Sequence, residues 1–423
     1  MPIMAHVSPL RNLHALAEAS FIAYGMPPGA SETARGGAHA GEAYPAVEVV
    51  ETFGDIEGEY AALRKGCVML DQPQRATIEV TGGERHEFLN RMLTQNLRGM
   101  PEGRAARTFW LNRKGRIDAD LRVLEPGSRT LVDVDVHAAA RAVATLTAYI
   151  ITEDVAIADV TPAWHRLALH GPTALPLLRA ISGPAAEGLA TPGHVAQLAI
   201  ASRPVIADRQ DATGEPGVEL LMRAADVEAV WHELLEAGGE HDGSAQGPSK
   251  PGNGFRLRPA GWHAFNIARV EAGWPVYNID FGPESLPAET GVLNDRVSFT
   301  KGCYLGQEIV ARMHALGAPR QVLVALRIEE QPSGIIHAAG GPPGPAQPLA
   351  GSPVFLPASG GDEGEIIGAV TSSVVSPMLG GVPIAFAQVR SKWAEAGAEL
   401  RVGAENRRLK AAVQPSLRFW PRP

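Results

Sequence analysis

Two cysteines in 423 residues exclude the disulfide framework of a small secreted domain, and a reducing cytoplasm fits them better. They are also too few for a protein-only iron–sulfur or zinc site, so any cluster would have to be shared with a partner or with exogenous thiols. The thirteen histidines form no His-x-x-x-His pair, and none sits beside an acid in a zinc motif. There is no Gly-x-Ser-x-Gly nucleophile elbow and no phosphate-binding glycine loop opening a helix after a strand. No apolar run approaches the length of a membrane span, and residues 1–43 carry no basic-then-apolar signal pattern. The net charge of −8 speaks against a general nucleic-acid surface, which needs a dense basic patch. A small anionic ligand is still compatible with it.

The length exceeds what one hydrophobic core organises, so two or three domains are expected. Forty-six glycines and 34 prolines imply many turns and point to a β-rich or mixed architecture. Residues 1–44 read as an extension of uncertain order, helical only around Leu10–Tyr24. From Val47 short strands alternate with amphipathic helices. Gly54–Lys65, Glu84–Leu93 and His137–Tyr149 have helical spacing, whereas Ala76–Gly83, Arg107–Leu111, Ile117–Leu124 and Thr130–Val136 read as strands joined by glycine turns. This is α+β with hairpins, not a doubly wound parallel sheet. A second unit of similar alternation runs over 164–320, with helices at Ala174–Ile181 and Ala225–Ala237 and a Gly/Ser/Pro-rich loop at Asp242–Gly254. Residues 321–423 read as a small β-barrel or sandwich interrupted by a Pro/Gly loop at Ala338–Pro345. The first α+β unit would then cover 45–163. Cys67, followed by Val68-Met69-Leu70, reads as core.

The other cysteine lies in Lys301-Gly302-Cys303-Tyr304-Leu305-Gly306-Gln307-Glu308. A lysine stands two residues before it. Apolar residues at 309, 310 and 313 mark a helix that starts just after it and stops near Gly317. An ammonium and a helix N-terminus both favour a thiolate, with Glu308 partly opposing them. A buried structural cysteine is the plain alternative. These surroundings favour a functional thiol.

That block resembles the signature of the YgfZ family. Its members are folate-binding relatives of the glycine-cleavage T-protein (aminomethyltransferase), linked to the assembly or repair of iron–sulfur proteins. The resemblance extends on both sides. Arg269-Val270-Glu271-Ala272-Gly273 is similar to the Arg-x-Glu-x-Gly segment of both branches, and Leu286-Pro287-Ala288-Glu289 follows at about the family's spacing. Leu167–Pro172, Trp110–Arg116 and Ile367–Ser373 with Ser376-Pro377 are similar to further segments of the T-protein fold, so the match runs from about residue 45 to the C-terminus. It implies an α+β, T-protein-like multi-domain arrangement of mixed sheets and helices around a central folate cavity, closed by a C-terminal β-barrel.

Alternation in Asn266–Glu271 suggests a strand that places Ile267, Arg269 and Glu271 on one side, the two charges facing a cleft. An Arg269–Glu271 surface pair is the other reading. The resemblance implies that Glu271 anchors a pterin by accepting two parallel hydrogen bonds, with Arg269, Asp118, Tyr304 and Gln307 as further cofactor contacts. It also implies Cys303, Lys301 and Asp120 as the groups for chemistry. The T-protein has two adjacent aspartates here, one of them catalytic. This chain has Ala119-Asp120, so the first is lost and Asp118 is shifted by one. Asp118 and Asp120 could contact folate nitrogens or be solvated. Arg296, Lys301, Arg312 and Arg320 could meet a folate glutamyl tail.

The resemblance thus implies a cytoplasmic, tetrahydrofolate-binding accessory protein of iron–sulfur assembly or repair. Its partners would be iron–sulfur assembly or client proteins, with no nucleic acid, no membrane and no resident metal, although a transient shared cluster is compatible. The alternative is a tetrahydrofolate-dependent one-carbon transferase, either an aminomethyltransferase or a demethylase. The altered acidic pair and Cys303 lean away from an enzyme. A scaffold that has lost its ligand is a third reading.

Overall fold

The computed structural model describes residues 6–24, 47–239, 254–317, 319–329, 346–357 and 364–420. The chain divides into two compact units. The first contains Glu32–Phe265 and Asn294–Gln307 together with the N-terminal segment, and the second contains Asn266–Leu293 and Glu308–Pro423. The expected loops at 242–253 and 338–345 lie outside the described residues.

In the first unit α1 (Arg11–Leu16) leads into β1 (Ser20–Ala23), which pairs antiparallel with β2 (Glu48–Thr52). The expected helical character therefore ends at Leu16. Phe21 and Ile22 pair with Val50 and Val49 instead, because aromatic and β-branched residues facing a β-branched pair gain more from strand pairing than from one further helical turn. The segment is pinned from inside. Ser8 Oγ and His14 Nε2 lie 2.5 and 3.0 Å from Asp71 Oδ2, and His165 Nε2 lies 2.6 Å from its Oδ1. Burial alone would raise the Asp71 carboxyl, but the His165 and His14 imidazoles outweigh it and hold it well below the usual carboxylate range.

α2 (Ile56–Lys65), capped by Asp55, leads to β3 (Cys67–Asp71), β4 (Arg75–Thr81), α3 (Arg85–Met92), β5 (Arg104–Leu111), β6 (Ile117–Glu125), β7 (Thr130–Asp135) and α4 (Val136–Thr147). Then come β8 (Ala156–Asp159), β9 (Trp164–His170), α5 (Ala174–Ser182), β10 (Val195–Ile200), β11 (Arg203–Arg209), β12 (Gly217–Arg223), α6 (Val227–Gly238) and β13 (Leu257–Pro259). These strands form two sheets. One is antiparallel, in the order β5-β6-β7-β4-β8. The other is mixed, in the order β10-β11-β12-β9-β3-β13, with only β13 parallel to its neighbour. Leu177, Leu178, Val230, Trp231 and Leu234 of α5 and α6 cover one face of the mixed sheet with Met69, Leu167, Leu169 and Leu220. Cys67 belongs to this core, fully buried, and its burial raises the thiol far above the ordinary range.

In the second unit lies the C-terminal part of α7 (Trp262–Glu271). The strand expected over Asn266–Glu271 is thus a helix. Ala264, Ala268, Ile267 and Val270 recur three and four apart, and this period outweighs the two-residue alternation of its charges. α8 (Leu293–Arg296), which belongs to the first unit from Asn294 on, and α9 (Gln307–Leu316) follow in the chain. Next come β14 (Gln321–Glu329), β15 (Pro353–Phe355), β16 (Ile366–Ser376), β17 (Val382–Arg390), β18 (Glu399–Ala404) and β19 (Arg407–Val413). They close into the six-stranded barrel β14-β17-β16-β15-β18-β19. Small and β-branched residues such as Val324, Ala385, Ala387, Val402 and Ala411 fill it, as a barrel this narrow requires. Ile267 and Val270 pack on the barrel's other face with Leu323, Ile384 and Phe386.

Candidate functional site: a charged layer between two sheets

The two sheets of the first unit face each other across a layer that is apolar at one end and charged further in. Register dictates this. Arg122 pairs with Arg107 on one side and Asp133 on the other, so all three project from the same face of the antiparallel sheet. On the mixed sheet Asp208 pairs with Glu219, and Leu221 pairs with Arg166. Glu219 is two residues from Leu221, which puts it diagonally across from Arg166 on the same face. Leu124, Leu131, Trp164, Val195, Ile206 and Leu221 close the apolar end.

Most of the charges find partners, either across the layer or within their own sheet. Arg122 makes a two-point contact with Asp208, Nη2 to Oδ1 at 2.6 Å. Arg107 donates to Gln210. Arg75 grips Asp133 with two bonds of 2.9 and 2.8 Å, the fork geometry that favours arginine. Burial, with Arg296 and Arg122 nearby, lowers the Arg107 guanidinium to about 9.

Two groups are left over. Arg166 is 2 % exposed and none of its three guanidinium nitrogens has a hydrogen-bond partner; its nearest carboxylate oxygen, Asp133 Oδ1, is 3.5 Å away. Glu219 is 6 % exposed and its Oε2 is buried without a partner. Burial pushes the Glu219 carboxyl up to about 7; Arg166 pulls it down, while Asp133 and Asp208 add to the rise. A buried polar atom without a partner costs about 1–3 kcal/mol, more when charged. Such a group in a folded protein calls for an explanation, such as an ordered water or ion, stored strain or a functional role. Together the pair offers a fixed cation and an acceptor oxygen that changes charge near neutrality.

Asp120 projects toward this layer. It pairs with Phe109, and Arg296, itself buried, donates to both its oxygens at 3.4 Å. Ala119 points the other way, paired with Trp110, whose indole bonds Thr145 of α4. Replacing an aspartate by Ala119 therefore affects the α4 side and leaves the inward carboxylate in place. Asp118 lies near the end of the strand, bonded by Asn112 (3.1 Å) and Arg141 (3.2 Å).

The cysteine block also belongs to the first unit through Gln307. Cys303 is exposed. Lys301, expected beside the thiol as a source of positive charge, instead sends its ammonium to the carbonyls of Asn90, Leu93 and Gln95, at 2.5, 2.7 and 2.8 Å, at the C-terminal end of α3. These are carbonyls a helix end leaves unpaired. Half-burial lowers this lysine to about 8. Gln307 accepts from the Tyr304 amide at 3.1 Å, and burial raises the Tyr304 phenol to about 12. Gly306, at φ +78°, sits where a Cβ would lie 2.7 Å from the Asn112 carbonyl, so only glycine lets the block rest on the turn that opens β6.

Arg269 and Glu271, expected in a cleft facing a ligand, are fully buried in the second unit. Arg269 pairs with Asp280 and donates to Ser372 at 2.6 Å, while Asp280 also accepts from Thr371 at 2.9 Å. Glu271 accepts from Ser376, and its backbone carbonyl receives the Phe419 amide. On a helix, residues two apart point to different sides, and each of these charges has its own partner on β16 or the adjoining turn.

Neither Arg166 nor Glu219 stood out in the sequence. The available signal was a lone charge inside each of two apolar strands, Trp164–His170 and Gly217–Arg223.

Two facing sheets, one antiparallel and one mixed, followed in the chain by a closed six-stranded barrel, define a multi-domain α+β protein of the T-protein type. The chain matches the "GCVT N-terminal domain" over residues 29–301 and the "Glycine cleavage T-protein C-terminal barrel domain" over residues 342–419. It belongs to the glycine cleavage T-protein family. An aminomethyltransferase of Streptomyces avermitilis is 31% identical over 353 residues, covering 82% of this chain and 84% of the relative. Another, from Synechococcus sp. strain RCC307, is 28% identical over 372 residues, covering 86% and 91%. The crystal structure of the glycine cleavage system aminomethyltransferase T from Bartonella henselae superposes with a TM-score of 0.76 at 21% identity, covering 98% of both chains. That likeness shows the fold. Among the described residues no helix is long and apolar enough to cross a membrane.

Proposed function

We propose that this protein binds tetrahydrofolate in the layer between the two sheets of its first unit and uses it in one-carbon transfer. The observation that carries this reading is the unpaired Glu219 Oε2, a buried acceptor for the donors of a pterin ring. A carboxylate can accept from the ring N–H and the exocyclic amino group together. Glu219, not Glu271, is then the anchor, since Glu271 is already engaged with Ser376. The aminomethyltransferase names of the relatives at 28–31% identity support the transferase class.

When bound, the folate would supply the nitrogens that carry the one-carbon unit. Glu219 holds the ring, and the apolar end of the layer excludes water. Asp120, held only by two long bonds from Arg296, is the group for proton transfer beside a folate nitrogen, which needs a carboxylate within hydrogen-bond reach. Lys301 has no chemical role in this scheme. It fixes the cysteine block to α3.

A second reading is favoured by one observation. Cys303 lies exposed on a block held in place by Lys301 and Gly306, and that block resembles the YgfZ signature. In this reading the protein binds folate but serves iron–sulfur assembly or repair, with Cys303 meeting a partner thiol, a cluster or a one-carbon adduct. Among the described residues no three His, Cys, Asp or Glu side chains gather as a metal site, so a cluster would take its other ligands from elsewhere.

Two variants separate the readings. Asp120→Asn should cut aminomethyl transfer at least 100-fold while retaining tetrahydrofolate binding, because general acid–base catalysis contributes about 10²–10⁴-fold. Cys303→Ala should leave transfer unchanged. If no transfer is measurable in the wild type, and Cys303→Ala alone abolishes rescue of an iron–sulfur defect in a deletion strain, the accessory role stands and the transferase reading falls.

A further inference from the structure

We propose that Arg166 is a specificity residue that reads the carbonyl of a 4-oxo pteridine and rejects its 4-amino counterpart. The inference rests on the folate reading above and deepens it. Its basis is the placement of two unpaired groups of opposite hydrogen-bonding sense. Arg166 carries only donors, none of them in a hydrogen bond and only Nε as near as 3.5 Å to a carboxylate, that of Asp133, and Glu219 has a buried oxygen that accepts no hydrogen bond. They sit diagonally across adjacent strands on one face, a separation of about 7–8 Å between side-chain origins, and they make no ion pair with each other. Arg75 already occupies Asp133 with two bonds, so the guanidinium of Arg166 lacks the short carboxylate contacts its neighbours have.

A 2-amino-4-oxo-pteridine presents along one edge an acceptor (the 4-carbonyl), then a donor (the ring N–H), then a second donor (the 2-amino group). Glu219 takes the two donors and Arg166 takes the acceptor, so every group along that edge is used. Substituting an amino group at position 4 turns the acceptor into a donor and removes the ring N–H. The guanidinium then faces a donor and cannot relieve the conflict by losing its proton, because arginine stays protonated. In that pose Glu219 also loses the ring N–H; turned over, the more basic ring returns two donors to the carboxylate through its protonated N1 and its 2-amino group, but N8–H, again a donor, then faces Arg166. Discrimination against the 4-amino compound is therefore a property of Arg166.

The test is anaerobic calorimetric titration of the full-length protein with tetrahydrofolate and with 4-amino-4-deoxytetrahydrofolate. The wild type should prefer the 4-oxo compound by about 10- to 100-fold, the range of one lost charge-assisted hydrogen bond. Arg166→Met, which keeps length and burial without donors, should bring the ratio close to one, and Arg166→Lys should restore part of it. Equal affinity of the wild type for both compounds overturns the assignment without recourse to any variant. A folded Arg166→Met protein with an unchanged ratio overturns it as well. Failure of the wild type to bind either compound removes the folate reading itself, and this assignment with it.

Discussion

Replacing Glu219 by glutamine should make the free protein more stable at alkaline pH while weakening its hold on folate. Burial raises the Glu219 carboxyl from its ordinary 4.5 to about 7, so the fold favours the protonated form. Below pH 4.5 the group is neutral in both folded and unfolded chains and costs nothing. As pH climbs from 4.5 to 7 the unfolded chain releases this proton first, and stability falls. Above about pH 8 the full penalty applies. At about 1.4 kcal/mol for each unit of pKa difference, it amounts to about 3 kcal/mol. Glutamine matches the protonated side chain in shape and never ionises, so Glu219→Gln should differ little from the wild type at pH 4.5 and exceed it by about 3 kcal/mol at pH 9. For a unit of this size that is roughly 6–12 °C in midpoint temperature. The measurement is denaturant unfolding of both proteins across this range. Every other titrating group is common to the two, so the difference between the curves isolates position 219. A flat difference, or a variant less stable at pH 9, would refute the reasoning, and Glu219 would then have a compensating partner in the folded protein. Tetrahydrofolate affinity should fall in the same variant by about 2 kcal/mol, near 30-fold, because one oxygen and the charge are lost. A group that costs stability in the free protein and strengthens ligand binding is a common trade at functional sites.

Arg269→Met should cost the second unit about 3–5 kcal/mol, the usual loss when one partner of a buried ion pair is removed, since Asp280 keeps its bonds from Thr371 and Ser372 but loses its counter-charge; a loss under 1 kcal/mol by denaturant unfolding would show that the pair barely offsets its own desolvation. Lys301→Met should leave three carbonyls at the end of α3 without their donor and cost about 1–3 kcal/mol. Hydrogen exchange should speed up in the cysteine block and in the last turn of α3, and exchange unchanged in both would mean that the lysine anchors neither.

Much of the fold was legible because it follows from local period. The helices at 56–65, 85–92, 136–147 and 174–182 and four of the five strands of the antiparallel sheet, β4 to β7, lie within a few residues of their expected bounds, whereas β8 was not foreseen. The closed barrel was legible as a barrel or sandwich from its short strands, although closure depends on pairing between β14 and β19, some 80 residues apart, which no local pattern carries. Helix α7 was misread because six residues of alternating charge look like a strand until the four preceding residues, Trp262 to Phe265, are counted with them. The N-terminal strand was missed for a related reason, since β1 exists only through its partner β2.

The site was less legible than the fold, for a reason of geometry. Motif reasoning favours charges grouped in short runs near glycine and proline, and this led to Arg269 and Glu271, which turn out to hold a helix to a barrel strand within the second unit. The unsatisfied groups are isolated charges in the middle of apolar strands, and their meaning depends on what the opposite sheet supplies. Asp208 would resemble Glu219 in any reading of β11 and β12, yet Arg122 of the other sheet neutralises one and leaves the other. The offset of one residue at Ala119-Asp120 makes the same point. Along the sequence, the loss of one aspartate from a pair looks like the loss of a catalytic group. On a strand, adjacent residues face opposite sides, so the carboxylate that remains is the one turned toward the layer. The lost aspartate therefore does not count against a transferase, and Asp120 and Cys303 are the residues that distinguish the two readings.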